Sequence, residues 1–147
     1  MNPQHPIDPP CNTIVFRQIR RKNWYDPDDD SKVMAEAFAR RRPRILKDGT
    51  EDPGDDDGLS AYDSSRIHRQ ACMEDCECCY GLATLHVGTI RNLGLTVIRD
   101  VADDRKILIT DMPLMNPGDK DQEALLESVA KSARIEVRYK WQRPKQN

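Results

Sequence analysis

Apolar residues along the chain keep two rhythms, one of period two and one near 3.6, and the places where one gives way to the other divide it into elements. In "TIVFRQIR", Thr13 to Arg20, Val15, Arg17 and Ile19 alternate with Ile14, Phe16 and Gln18, and the stretch is rich in β-branched residues, which predicts a first strand. "NWYDPDDDS" then turns the chain. Ser31 is placed to cap a short helix over "KVMAEAFARRR", where Val33, Ala37 and Phe38 recur at helical spacing and Pro43 supplies the stop. In "LKDGTEDPGDDDG" turn chemistry and charge repulsion both oppose regular structure, so residues 48–58 are expected to form an exposed acidic loop.

"LSAY" reads as a strand, and Asp63 or Ser64 offers an N-cap oxygen to a helix over "SRIHRQACMEDCEC". Next come the strand "GLATLHVG", the short helix "TIRNLG" with Gly94 as its left-handed exit, and the strands "LTVIRD" and "KILITDMP". The last two are expected to be antiparallel, because only "VADDR" separates them. "DKDQEALLESVAKSA" is the clearest helix: Leu125, Leu126, Val129, Ala130 and Ala133 make one apolar stripe, with acids in the first turn and Lys131 near the end. "RIEVRYKW" closes the series as a strand with one wet face.

Helices interspersed among strands, without a long βαβ series, predict a single α+β domain: a mixed, mostly antiparallel sheet packed by two or three helices. That domain spans residues 13–141. The first twelve residues, with Pro3, Pro6, Pro9 and Pro10, are expected to be a disordered tail, and residues 142–147 a frayed one.

Composition sharpens this picture in two respects. At 37% hydrophobic and 33% charged residues, with a mean hydropathy of -0.78, the apolar side chains must be concentrated in these few elements. No apolar run approaches the ~20 residues of a membrane span, and the N-terminus lacks the basic start and apolar stretch of a signal peptide, so a cytoplasmic protein is expected. The net charge of -2 also hides a polarised layout. Residues 1–47 carry ten Lys/Arg against six Asp/Glu, whereas residues 48–63 carry seven acids and no base.

Four of five cysteines fall in "HRQACMEDCECCYG". On a helix Cys72, Cys76 and Cys79 lie at i, i+4 and i+7, and His68 extends the face backward, so these four are the candidate zinc ligands. The spacing lacks the paired knuckles of common structural zinc sites, and the same stripe describes a buried helix face on which cysteine serves as a small hydrophobe, which is the expectation. Glu74, Asp75 and Glu77 nearby disfavour a reactive thiolate. The sequence contains no phosphate-binding glycine loop, no G-x-S-x-G and no H-E-x-x-H, and the acidic loop fails the calcium pattern because Pro53 would hold the first ligand position.

The ordered pieces "FRQI", Phe38, "LSAYDSS", "YGLATLHVG" and "LGLTVIRD", over roughly residues 14–135, resemble a family of small bacterial proteins without an assigned activity. Arg17, with Ser60 and Tyr62, is also similar in placement to the arginine and serine of ADP-ribosyltransferase-like toxins. That resemblance implies an NAD-binding arginine and a late acidic residue, for which Glu136 would stand. The structural alternative pairs Arg17 with Asp63 inside the sheet.

With no catalytic signature, the reading is a non-catalytic binding or regulatory module with a protein partner, held by an arginine face of Arg17, Arg20, Arg21, Arg40, Arg41 and Arg42. The alternatives are an NAD-dependent ADP-ribosyltransferase-like enzyme and a zinc-stabilised nucleic-acid binder, in which Phe16, Trp24, Tyr25 and Phe38 would stack on bases.

Overall fold

The computed structural model describes residues 8–55, 57–75, 79–114 and 118–138. Its elements in chain order are β1 (Ile14–Gln18), β2 (Arg44–Ile45), β3 (Glu51–Asp52), β4 (Leu59–Asp63), α1 (Arg69–Glu74), β5 (Gly81–His86), α2 (Val87–Asn92), β6 (Val97–Arg99), β7 (Lys106–Ile109), α3 (Lys120–Ser132) and β8 (Arg134–Arg138). Single 3₁₀ turns occupy Lys22–Trp24 and Ala35–Phe38. Six strands form one sheet in the order β6-β7-β4-β1-β5-β8, every neighbouring pair antiparallel, and β2 pairs with β3 in a second, small sheet. The molecule is thus an α+β domain with a mostly antiparallel sheet and three helices, as the sequence predicted, and β6 and β7 form the expected antiparallel pair.

The larger core lies on one face of the sheet. Val15 and Ile19, Leu59 and Ala61, Ala83 and Leu85, and Ile107 and Ile109 meet Phe38, Ile90, Leu126 and Val129 there. Asp119 caps α3 by accepting from the Gln122 amide at 3.1 Å, with Asp121 and Glu123 in the first turn and Lys131 in the last, and α3 packs on the Ala35–Phe38 turn. The opposite face carries a smaller cluster of Phe16, Tyr62, Ile67, Cys72 and Leu82, covered in part by α1. Strand β1 is therefore central and buried on both sides.

Three expectations change. The helix over "KVMAEAFARRR" contracts to the Ala35–Phe38 turn because the backbone at both ends is recruited elsewhere. The Met34 amide donates to the Trp24 carbonyl at 2.6 Å, Arg40 bridges to Leu114, and the Ser31 hydroxyl is held by Asp29. The apolar set Val33, Ala37 and Phe38 is buried all the same. Helix α1 starts at Arg69 and is capped by His68, whose Nδ1 accepts from the Gln70 amide at 3.1 Å; Asp63 ends β4 instead, accepting from the Ser65 amide and hydroxyl. Within the acidic stretch, Glu51–Asp52 is strand β3, tied to the arginines opposite it.

Among the described residues no helix is long and apolar enough to cross a membrane.

Candidate functional site: an arginine cleft

Strand β1 ends in a basic exit and the segment before β2 is a basic run, and the fold sets the two beside each other. Arg21 is extended, ahead of the Lys22–Trp24 turn. The segment from Arg40 stays open because the Arg40 amide donates to the Pro113 carbonyl at 3.1 Å and Pro43 lacks a donor for a helix. Between them lies a cleft of about 360 Å³ lined by Arg21, Arg40, Arg41, Arg42, Pro43 and Arg44.

The acidic hairpin closes one side. Arg41 reaches Asp52 at 3.2 Å and Asp55 at 3.5 Å, Arg44 reaches Asp52 at 3.4 Å, and the Arg41 amide donates to the Asp55 carboxylate at 2.7 Å. The Gly54 amide, more than the two guanidiniums and against the opposing effect of burial, holds the Asp52 carboxyl below its usual range. Gly54, at φ +67°, is required here: a Cβ would sit 2.5 Å from the Arg41 carbonyl oxygen and 2.8 Å from that of Arg42. Arg40 donates its Nε to the Met112 carbonyl, and neither Arg21 nor Arg42 has a side-chain partner among the described residues. Among the described residues, five arginines thus line the cleft and two carboxylates engage them.

Of the six expected arginines, Arg21, Arg40, Arg41 and Arg42 line the cleft. Arg44 joins them; it belongs to the same "ARRRPR" run and is separated only by Pro43. Arg20 lies apart, donating to Gln18 Oε1 at 3.0 and 3.2 Å. Arg17 is buried on the main core face at 4% exposure, its guanidinium donating to the carbonyls of Ala37 at 2.8 Å and Ser60 at 3.1 Å and lying 5.5 Å from the Trp24 ring. The partner expected for Arg17, Asp63, belongs to Arg99 at 3.0 Å.

Comparison of the chain with protein-family models, curated proteins and solved structures found no match.

The residues of the ADP-ribosyltransferase resemblance divide between the two faces. Glu136 forms a 3.0 Å ion pair with Arg69 beside Phe16 and Thr84, on the face opposite to Arg17. Ser60 and Tyr62 point to that same opposite face, alternating with Leu59 and Ala61, and the Tyr62 hydroxyl donates to Asp75. Arg17 and Glu136 thus lie on opposite faces of the sheet.

Three of the four zinc candidates, His68, Cys72 and Cys79, are among the described residues. His68 is an exposed helix cap, Cys72 is fully buried against Phe16 and Tyr62, and Cys79 follows α1, its thiol donating to the Gly81 carbonyl at 3.2 Å and lying 3.5 Å from Met73 Sδ. Cys76 and Cys78 lie outside the described residues. Among the described residues no three of His, Cys, Asp or Glu gather as a metal site. Burial, with a smaller contribution from neighbouring Cys79, pushes the Cys72 thiol up to about 12. Iodoacetamide at pH 8 is therefore expected to modify exposed Cys11 in the native protein and to spare Cys72 until denaturant is added. Peptide mapping that found Cys72 labelled natively as fast as Cys11 would contradict this.

Proposed function

We propose that this protein is a non-catalytic binding module that engages a protein partner through the arginine cleft. The observation that carries the reading is the pair Arg21 and Arg42, which line the cleft with no side-chain partner among the described residues, beside Arg41 and Arg44, which already hold carboxylates. A guanidinium fork matches a carboxylate in two places, and the contacts of Arg41 and Arg44 with Asp52 and Asp55 are an internal sample of that recognition. An anionic segment of another protein is what the remaining forks suit.

A protein is favoured over nucleic acid because the aromatics that would stack on bases are all interior: Phe16, Trp24, Tyr25 and Phe38 are no more than 8% exposed. Among the described residues the cleft walls contain only arginine and proline, and the chain as a whole is acidic. A regulatory role follows in kind: a module of this sort acts by occupying its partner.

The test is cross-linked capture from the source cells, with and without nuclease, comparing the natural chain with Arg21→Ala/Arg42→Ala. Both residues line the cleft, are exposed and make no side-chain hydrogen bond or ion pair among the described residues, so the melting temperature is expected to stay within about 2 °C. Nuclease-resistant protein partners are expected to fall at least tenfold in the variant. Partners held equally by both chains, or capture that disappears with nuclease, would overturn the proposal.

A further inference from the structure

The cleft differs from an ordinary basic surface in three respects. Every charged residue lining it is arginine among the described residues. The charges converge from two separate segments, Arg21 from the exit of β1 and Arg40 to Arg44 from the strand-like run opposite. Among the described residues the chain's own acids neutralise only part of it: Asp52 and Asp55 engage Arg41 and Arg44, while Arg21 and Arg42 keep all five N–H donors and Arg40 commits only its Nε.

From this convergence we infer that the cleft takes a phosphomonoester dianion, the phosphoryl group of a phosphorylated side chain on the protein partner, held by Arg21, Arg40 and Arg42. The inference rests on the docking reading above and names its ligand chemistry. A single carboxylate brings one negative charge and two oxygens, which suits the one-to-one contacts already present at Arg41 and Arg44. A phosphoryl group brings nearly two charges and three acceptor oxygens, so unlike a carboxylate it gives each of the three arginines an oxygen of its own. Arginine rather than lysine fits such planar, two-point recognition.

The hairpin sets the geometry for this group. With Gly54 packed directly against the Arg41 and Arg42 backbone, the acidic turn holds Arg41 to one side and leaves the rest of the cleft to the incoming anion. Its carboxylates repel a dianion more than a monoanion, so selectivity for the dianion rests on the several forks that it gains at once.

The experiment uses the full chain labelled with ¹⁵N, titrated at pH 7.5 and constant ionic strength with sodium phosphate, with sodium acetate and with a short oligonucleotide lacking terminal phosphate. Phosphate is expected to give saturable shifts confined to the amides and side-chain Nε–H signals of Arg21 and residues 40–44, at a concentration at least tenfold lower than acetate. Arg21→Ala/Arg42→Ala should abolish them, and Arg21→Lys/Arg42→Lys, which keeps the charge, should still weaken binding several-fold. Phosphate binding should also weaken several-fold at pH 5.5, where phosphate is a monoanion.

A peptide carrying one phosphoserine is expected to exceed its glutamate counterpart by at least tenfold. Acetate equal to phosphate, an oligonucleotide that binds as well as phosphate, or shifts that persist in the alanine variant would each overturn the inference. The two readings fail separately. Phosphate no better than acetate leaves a carboxylate-bearing partner in place, whereas a partner indifferent to the alanine variant removes the docking reading itself.

Discussion

Arg99→Met is expected to destabilise the protein by about 3–5 kcal/mol, because it removes one member of a buried ion pair and leaves the other charged. The side chains of Arg99 and Asp63 are 5% and 3% exposed, and their nearest atoms are 3.0 Å apart. Arg99 also donates to the Asp104 carbonyl at 3.1 Å, tying the β6–β7 connection to the end of β4. After the change the Asp63 carboxylate would keep the Ser65 amide and hydroxyl, and Arg66 only at 3.8 Å. Those groups do not replace a guanidinium inside the core. The double variant Asp63→Asn/Arg99→Met should recover at least half of the loss, since removing both charges removes the desolvation that makes one alone so costly. Urea unfolding at pH 7 measures both, and a single-variant loss below 1 kcal/mol would contradict the account.

The same pair sets a pH dependence. Burial alone would raise the Asp63 carboxyl, but hydrogen bonds from Ser65 and the Arg99 guanidinium outweigh it and leave it below its usual range. A depressed folded value means that the unfolded chain takes up the proton first. The stabilisation is therefore complete above the unfolded carboxylate value of about 4 and is lost as pH falls through the lower folded value. The stability gap between the natural chain and the double variant should accordingly change below pH 4 and stay flat from pH 6 to 8.

How much of this was legible from sequence depends on where the deciding interactions lie. Strands β1, β4, β5, β7 and β8 and helix α3 follow their own local patterns, so alternation and the Leu125, Leu126 and Val129 stripe suffice to place them. The helix expected over residues 32–42 fails because its ends are claimed by Trp24, Pro113 and Leu114, which no local pattern reveals. Strands β2 and β3 are two residues each, and their pairing is reinforced by Arg44 and Asp52 across the hairpin rather than by any apolar period. The arginine run was visible as a run. Its division was not: which arginines the hairpin would take, and which it would leave facing the cleft, depends on a turn seated by Gly54.

Arg17 shows the same limit in sharper form and leads to the second large effect. In "TIVFRQIR" it looks like one more surface base, yet Val15 and Ile19 on one parity and Phe16 on the other already mark a strand apolar on both faces. In such a strand Arg17 must be interior, and its polar atoms must find partners. They find the Ala37 and Ser60 carbonyls, so the guanidinium fastens the Ala35–Phe38 turn, and with it the floor under α3, to β1 and β4. Arg17→Ala is expected to cost about 3–5 kcal/mol, since each hydrogen bond from a charged group contributes about 1.5–3 kcal/mol and two buried acceptors are left without their donor. Arg17→Lys should recover only a fraction, because one ammonium lacks the reach of a fork. Denaturant midpoints distinguish this role from an NAD-binding one. Replacing an arginine that serves NAD chemistry would abolish activity while the midpoint held, whereas replacing one that pins a turn beneath a helix moves the midpoint itself.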